Sequence, residues 1–300
     1  MSTQFQAFKN KVEHCLCSPG DGVFTVNTAK ERKAALRNKL YGQTENVDPL
    51  WRDSLNELPN SPHKAVMLGI SSDCGGGILR GANWGPLFVR SALIDQQPQC
   101  HSFDLGDVRV IPHLLHDKYL NDATISNCQK ALYGDENNDY YVSPLSITED
   151  VCDSFYATFK DKGIFGIGGD HSISYPLTKA YLKAKREQGK RTAIIHFDAH
   201  TDLLVERLGI DLCFGSWCTH ILEFLPAPHH LIQFGIRSSG KPKAHWESTF
   251  GVKQHWAAEI IERGAKAVAA ETIAQLKADN VDEVYVSFDI DALDAEFASA

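Results

Sequence analysis

Residues 193–204, AIIHFDAHTDLL, join an apolar run directly to a dense group of polar side chains. The run 193–197 has the length and near-continuous hydrophobicity of a strand that is buried on both faces. Asp198, His200 and Asp202 follow it at every second position. Side chains two residues apart in an extended chain point to the same face, so the pattern predicts one row of oxygen and nitrogen donors. Such a row suits a metal ion.

Similar apolar runs recur along the chain and predict further buried strands. They are AVMLGI (65–70), IFGIG (164–168), LIQFG (231–235) and VYVSF (284–288). Helical candidates lie between them, at 85–94, 149–161, 176–188 and 271–280. This alternation predicts an α/β fold with a parallel sheet. In such sheets ligands bind beyond the carboxyl ends of the strands, which is where the polar groups of this sequence are concentrated.

Two more polar groups follow predicted strands. GGDHS (168–172) presents His171 after two glycines, and DIDALD (289–294) places Asp289 and Asp291 on one face. A glycine-rich turn with an incidental histidine remains an alternative for the first group. GIGGDHS lacks the lysine of a phosphate loop, and DIDALD lacks the glycine and terminal glutamate of a calcium loop. Neighbouring carboxylates repel each other unless a cation lies between them.

Taken together, the three strand ends supply six candidate metal ligands: His171, Asp198, His200, Asp202, Asp289 and Asp291. Four carboxylates match the charge of two divalent ions. Nitrogen and oxygen donors without thiolate favour manganese, iron, cobalt, nickel or zinc, and the oxygen-rich balance favours manganese. Two such ions activate a shared water, so the pattern predicts metal-assisted hydrolysis.

Composition narrows the class of protein. The chain has 300 residues, 43% of them hydrophobic, and a formal net charge of −8, which argues against a nucleic-acid partner. No apolar run reaches the length of a membrane span, and the start lacks the apolar core of a secretory signal. Eight cysteines are scattered without a C-x-x-C pair. These features predict a cytoplasmic protein with reduced thiols and no membrane partner.

Residues 1–62 differ in pattern from the rest and are predicted to be an N-terminal extension. They contain one clear helical segment, 27–42, with Asn27 or Thr28 as N-cap and Gly42 as its end. Prolines and asparagines mark the connection that follows. Residues 63–300 are predicted to form the catalytic domain.

The three motifs GGDHS, FDAHTD and SFDIDALD, in this order, resemble the metal-binding signatures of the ureohydrolase family, which includes arginase, agmatinase and formiminoglutamase. The segments at 69–93, FDLGDV (103–108) and FGIRS (234–238) are similar to further family motifs, the last two to the agmatinase branch. The resemblance runs from Ala65 to the last residue. It implies an arginase-like three-layer α/β/α sandwich with a mostly parallel central sheet. It also implies a homotrimer or homohexamer with two Mn²⁺ per chain, for which Ni²⁺ is an alternative.

The resemblance further implies how the ligands are shared. One ion would be held by His171 and Asp202, the other by His200 and Asp291, with Asp198 and Asp289 bridging the two. The activated water would attack a guanidinium or formimino carbon and release urea or formamide together with an amine or ammonia.

The sequence departs from the family pattern in three places. Phe214-Gly215 stands where urea-producing members carry a His-Gly pair that transfers protons, and His220 is an alternative proton carrier or a packed helix residue. Leu204 replaces a polar residue by which arginases hold an α-amino acid, so arginine is not expected as substrate. The final segment DAEFASA stops within a loop that the family continues, with Ala295 in place of a usual proline, which suggests a shortened C-terminus.

Three functional hypotheses follow. The preferred one is an agmatinase-like enzyme acting on a small guanidino compound: agmatine, a guanidino acid or guanidine. The first alternative is a formiminoglutamase-like hydrolase, which Phe214 favours because such members also lack the histidine. The second is a metal-binding but catalytically silent subunit. No residue is assigned to proton transfer.

Overall fold

The computed structural model describes residues 2–24, 29–76, 80–97 and 102–298. The chain divides into two compact units, Met1–Ala180 and Tyr181–Ala300. Within the described residues each unit contains a four-stranded sheet. This division differs from the boundary near residue 62 that composition predicts, and that boundary stays a prediction.

The first unit has a mostly parallel sheet in the order β1-β3-β2-β4. Its strands are β1 (Leu16–Cys17), β2 (Ala65–Ile70), β3 (Phe103–Val108) and β4 (Gly163–Gly168). β2 is parallel to both neighbours, whereas β1 is antiparallel to β3. The helices are α1 (Thr3–Cys15), α2 (Lys30–Tyr41), α3 (Val47–Ser54), α4 (Gly85–Gln96), α5 (Asp122–Tyr133) and α6 (Pro144–Thr158).

The helix predicted at 27–42 is confirmed as α2. It ends where expected, because Gly42 adopts φ 70° and its N–H bonds back to the Asn38 carbonyl. The predicted N-caps Asn27 and Thr28 lie outside the described residues. Helix α1, which the sequence pattern did not predict, contributes to the core of this unit: the Phe8 ring packs edge-on against Phe155 of α6, with centroids 6.0 Å apart.

The FDLGDV motif forms β3 and holds a buried cation. Arg90 of α4 donates from Nε to Asp104 at 2.8 Å, and its Nη2 lies 2.7 Å from Asp107. Asp107 also accepts the Gly20 N–H at 2.8 Å. The pairing of Arg90 with two carboxylates compensates for its burial, which leaves it 1% exposed. In this chain the motif therefore has a structural role.

The second unit has an entirely parallel sheet in the order β7-β6-β5-β8. Its strands are β5 (Thr192–Phe197), β6 (Leu231–Ile236), β7 (Lys253–Trp256) and β8 (Glu283–Phe288). Helix α7 (Ser174–Glu187) leads into this unit, followed by α8 (Trp217–Ile221), α9 (Lys243–Phe250), α10 (Ala257–Arg263) and α11 (Ala265–Ala278). Parallel pairing brings the carboxyl ends of these four strands to the same edge.

The five predicted strands are confirmed, each to within one residue at either end, as β2, β4, β5, β6 and β8. The helix candidates are confirmed as α4, α6, α7 and α11, although α6 and α11 begin five or more residues earlier than the pattern indicated. Ile232 and Phe234 of β6 pack against Val268 of α11, so the helix covers one face of the sheet. None of the helices in the described parts of the chain is long and apolar enough to cross a membrane.

Candidate metal centre

The polar group after β5 begins at a deeply buried carboxylate. β5 ends at Phe197, and the next N–H, that of Asp198, bonds to the Phe234 carbonyl of β6 at 3.1 Å. Asp198 is only 1% exposed. Its Oδ1 accepts the backbone N–H of His200 at 2.6 Å. The carboxylate of Asp198 is therefore buried and held in place at the end of β5.

Two predicted ligands lie beside Asp198. The ligand atoms of Asp198, His200 and Asp291 are all within 4.8 Å of one another. His200 Nδ1 is 3.4 Å from Asp198 Oδ1 and 3.0 Å from Asp291 Oδ2, and the two carboxylates raise the pKa of His200 to about 10. Two carboxylates around one imidazole leave an excess of negative charge that attracts a cation.

The end of β8 is tied to the end of β5 through Asp291. The Ala199 N–H donates to Asp291 Oδ1 at 3.0 Å, while Asp289 Oδ1 accepts the Asp291 N–H at 3.0 Å and caps a short 3₁₀ turn. Arg237, which follows β6, donates to the Asp291 and Leu293 carbonyls at 2.6 and 2.8 Å. Three parallel strand ends thus hold the Asp291 segment in place.

The side chain of Asp202 is held by a different contact from that of His200. The residue has φ 49°, so the chain leaves the extended conformation there, and its Oδ2 accepts the Trp217 indole N–H at 2.8 Å. The ligand atoms of His196, Asp198 and Asp202 nevertheless lie within 4.8 Å of one another. The prediction of one extended row at 198, 200 and 202 is therefore wrong. A turn after Phe197 arranges these side chains around Asp198 instead.

A chain of buried hydrogen bonds supports Asp198 from behind. The Trp256 indole donates to Gln254 Oε1 at 2.9 Å, and Gln254 Nε2 donates to Gln233 Oε1 at 2.7 Å. Gln233 Nε2 donates to His196 Nδ1 at 2.9 Å, and His196 Nε2 then donates to Asp198 Oδ2 at 2.9 Å. Because an indole N–H can only donate, the direction of every step is fixed, including the tautomer of His196.

Sequence reasoning missed this chain, although a signal for it exists. His196 and Gln233 each interrupt an otherwise apolar strand, and both are fully buried, as is Gln254 in the neighbouring β7. Their positions are neighbours across the sheet, since His196 pairs with Gln233 and Gln233 with Gln254. Buried polar side chains require partners, so polar residues in adjacent buried strands predict a network.

We expect Gln233→Leu to weaken both the fold and the metal site. Gln233 Nε2 also bonds to the Thr201 carbonyl at 2.6 Å, so the change removes the Gln233 hydrogen bonds to that oxygen and to His196 Nδ1. Loss of such a bond costs about 1–3 kcal/mol of the free energy of unfolding. Loss of support behind a ligand typically reduces metal affinity about 10–100-fold. Denaturant unfolding and metal titration measure the two effects.

Gln254→Leu is the matched control for this prediction. It removes a buried amide of the same size from the next strand but leaves the bond from Gln233 to His196 in place. It should lower stability to a similar extent and metal affinity much less. Equal losses of affinity in both variants would contradict a specific positioning role for the Gln233–His196 bond.

His171 is held in the first unit by the GGDHS motif. β4 ends at Gly168, and any Cβ at Gly169 would collide with the Ser72 carbonyl, so glycine is required there. Asp170 Oδ1 accepts the Ser172 N–H at 2.9 Å and caps the 3₁₀ turn His171–Ile173. The glycine-rich turn therefore has a defined structure, and it places a nearly buried histidine just after β4.

The structure shows the contacts of Phe214 and Leu204, two residues that depart from the family pattern. The Arg207 guanidinium covers the Phe214 ring, 5.4 Å from its centroid. His220, which lies in α8, donates from Nε2 to the Val205 carbonyl at 3.0 Å. Leu204 is 41% exposed and pairs with Gly215 through its N–H at 3.0 Å. The Phe214 ring therefore lies against a cation, and the ring itself cannot transfer a proton.

Comparison with known proteins places the chain in a family. The model of the arginase family matches residues 63–300. The chain belongs to the arginase family. Formimidoylglutamase of Halalkalibacterium halodurans is 38% identical over 135 residues, 44% of this chain and 40% of that protein. Agmatinase of Bacillus subtilis is 33% identical over 151 residues, 50% of this chain and 47% of that protein. The aligned part of the chain thus spans less than half the length of these curated relatives.

Solved structures agree with the fold. Formimidoylglutamase from Bacillus subtilis has a TM-score of 0.59 at 22% identity, covering 79% of this chain and 68% of that one. Proclavaminate amidino hydrolase from Streptomyces clavuligerus has a TM-score of 0.54 at 25% identity, covering 79% and 70%. The predicted arginase-like, mostly parallel α/β fold is confirmed.

Proposed function

We propose that this chain is the catalytic part of a two-metal amidinohydrolase that cleaves a C–N bond of a small guanidino compound. The observation that carries the proposal is the grouping of Asp198, His200 and Asp291 at the carboxyl ends of parallel strands. Membership of the arginase family supports it. The donors fit divalent ions, because one imidazole and two carboxylates lie together without a thiolate ligand.

The ligands that would hold the ions are His171, Asp198, His200, Asp202, Asp289 and Asp291. Manganese suits their oxygen-rich balance, with nickel as the alternative. When bound, the two ions lower the pKa of water and supply the hydrolytic nucleophile. Asp198 and Asp289 would be shared between the ions.

Each supporting residue has a defined task in this scheme. His196 holds the Asp198 carboxylate through its Nε2–H and thereby sets the direction of the remaining lone pairs. The Trp217 indole does the same for Asp202, which would orient the attacking water. These donors restrict both carboxylates to one rotamer, so little reorganisation is needed when the substrate binds.

The substrate we infer is agmatine, a guanidino acid or guanidine, and the products are urea with an amine or ammonia. Arginine is excluded from this proposal because Leu204 cannot donate hydrogen bonds from its side chain to an α-amino-acid group. The agmatinase relative supports this substrate class.

A formimino substrate is the second candidate, favoured by Phe214 and by the formimidoylglutamase relative. Attack on a formimino carbon releases formamide in place of urea. We place the protein in the cytoplasm as a homotrimer or homohexamer, without a nucleic-acid or membrane partner, as an extension of the same proposal. Analytical ultracentrifugation tests the oligomer.

Removal of metal is expected to lower the melting temperature and abolish activity together. Without ions the clustered carboxylates repel each other, and a ligand at 100 times its Kd stabilises the fold by about 2.7 kcal/mol. For a chain of 300 residues the entropy of unfolding is about 0.6 kcal/mol/K, so each ion then contributes roughly 4 °C to Tm. Calorimetry before and after dialysis against a chelator measures the shift. Recovery of both Tm and turnover with manganese is expected, whereas an unchanged Tm would contradict a metal centre.

A further inference from the structure

A second group of side chains with metal-ligand atoms lies in the second unit, at the amino ends of the strands of its sheet. His229 and His230 belong to the 3₁₀ turn Pro228–His230, which leads directly into β6, and Asp279 caps the end of α11. The ligand atoms of the three residues lie within 4.8 Å of one another. Because β5 spans about 20 Å, this group at the amino ends of the strands is separate from Asp198.

The tautomer of His230 is fixed by its surroundings. His230 Nδ1 lies 3.0 Å from the Thr192 carbonyl, and a carbonyl oxygen only accepts, so Nδ1 carries the proton. Nε2 of the neutral ring is then left with an unshared electron pair. Histidines that bind metals usually show this arrangement, with the other ring nitrogen donating to a backbone carbonyl.

His230 Nε2 has no hydrogen-bond partner in the described parts of the chain, although the residue is only 1% exposed. Asp279 Oδ2 lies 3.8 Å from it. Both atoms are acceptors and they face each other at this separation. A buried polar atom without a partner costs about 1–3 kcal/mol, so a cation between the two would remove an unfavourable contact.

We propose that His229, His230 and Asp279 bind a divalent transition-metal ion, with Zn²⁺ as the expected occupant. Two imidazoles and one carboxylate are a donor set that zinc uses, with a water completing a tetrahedron. Bond lengths near 2.0–2.1 Å place tetrahedral ligands about 3.3 Å apart. The observed separations from Asp279 Oδ2 are 3.4 Å to His229 Nε2 and 3.8 Å to His230 Nε2.

The site has a buried side and an accessible side. His230 forms the buried side, whereas the side chains of His229 and Asp279 are 46% and 28% exposed, which gives an ion a path from solvent. The His229 and His230 rings are perpendicular, with centroids 4.8 Å apart. Arg191, which donates to the Asp279 carbonyl at 3.0 Å, is the opposing charge nearby. A bound ion would join the turn before β6 to the end of α11 and would thereby stabilise the fold at the amino ends of the strands.

Zinc counting tests this proposal. The metal-free full-length protein is dialysed against excess ZnCl₂, washed, and its zinc content measured by atomic emission. We expect His229→Ala and Asp279→Asn each to bind one zinc per chain fewer than the unchanged protein. Both residues are partly exposed, so these variants should fold even if His230→Ala does not. Asp198→Asn should keep the zinc at this site, and His229→Ala should remove it in that background.

Two control variants separate a built site from scattered surface binding. His245→Ala removes an exposed histidine and Glu262→Gln an exposed carboxylate of the same unit. Both should bind as much zinc as the unchanged protein. The proposal is overturned if His229→Ala and Asp279→Asn also bind the full amount, or if the controls lose as much zinc as they do.

Discussion

Asp198→Asn should lower kcat/KM at least about a thousandfold and remove most of the manganese bound at the Asp198 centre. The change keeps the shape of the side chain but removes the charge that two ions would share. Replacing a residue that only supports a ligand typically lowers metal affinity or activity about 10–100-fold, so replacing a shared ligand should lower them further. His196 would still donate to the remaining amide oxygen, and the fold should persist. Steady-state kinetics and metal analysis of the same preparation measure both effects.

Glu262→Gln provides the control, because it removes one negative charge from an exposed position of the second unit. It should leave activity and metal content within a factor of two. Retention of near-native activity by Asp198→Asn would show that this carboxylate is not a shared ligand.

Substitution of Asp289 should prevent the binding of both ions, whereas substitution of Asp291 should prevent the binding of mainly one. The resemblance assigns Asp289 a bridging position, whereas Asp291 would serve a single ion and lies 3.0 Å from His200 Nδ1. We therefore expect no bound manganese in Asp289→Ala and about one ion per chain in Asp291→Ala. Atomic emission and manganese electron paramagnetic resonance, which detects coupled ion pairs, distinguish the two states.

A cap also depends on Asp289, since its Oδ1 accepts the Asp291 N–H. Asp289→Asn keeps that acceptor, because asparagine is an equally good cap. It should still lose both ions if the charge is what matters. Equal metal content in the Asp289→Ala and Asp291→Ala variants would contradict the bridging assignment.

The parallel strands were predictable because burial on both faces forces an unbroken apolar composition. β2 and β5 illustrate this, since residues 65–70 and 193–197 are mostly buried and were recognised almost to the residue. The short β7 (Lys253–Trp256) was not, because three of its four residues are polar. Its Gln254 is nevertheless fully buried, since Gln233 and Trp256 satisfy its amide. Tertiary partners, which the sequence does not display, make such a strand stable.

The grouping of Asp198, His200 and Asp291 was predictable from the sequence, but the local geometry was not. Alternating donors suggested an extended row, yet Asp202 at φ 49° turns away toward Trp217. That turn depends on a residue fifteen positions later in the chain. The grouping of His230 with Asp279 is hidden in the same way, because a helix end and a strand start bring together residues that are 49 positions apart.

The most direct test of the proposed function is product analysis with the manganese-reconstituted full-length protein. The substrates are agmatine, guanidinobutyrate, guanidine, arginine and formiminoglutamate. The proposal predicts manganese-dependent urea from one of the first three and none from arginine. Formamide from formiminoglutamate would instead assign the chain to the second candidate function. No product from any of the five with two ions bound would contradict an enzymatic role and favour a catalytically silent subunit.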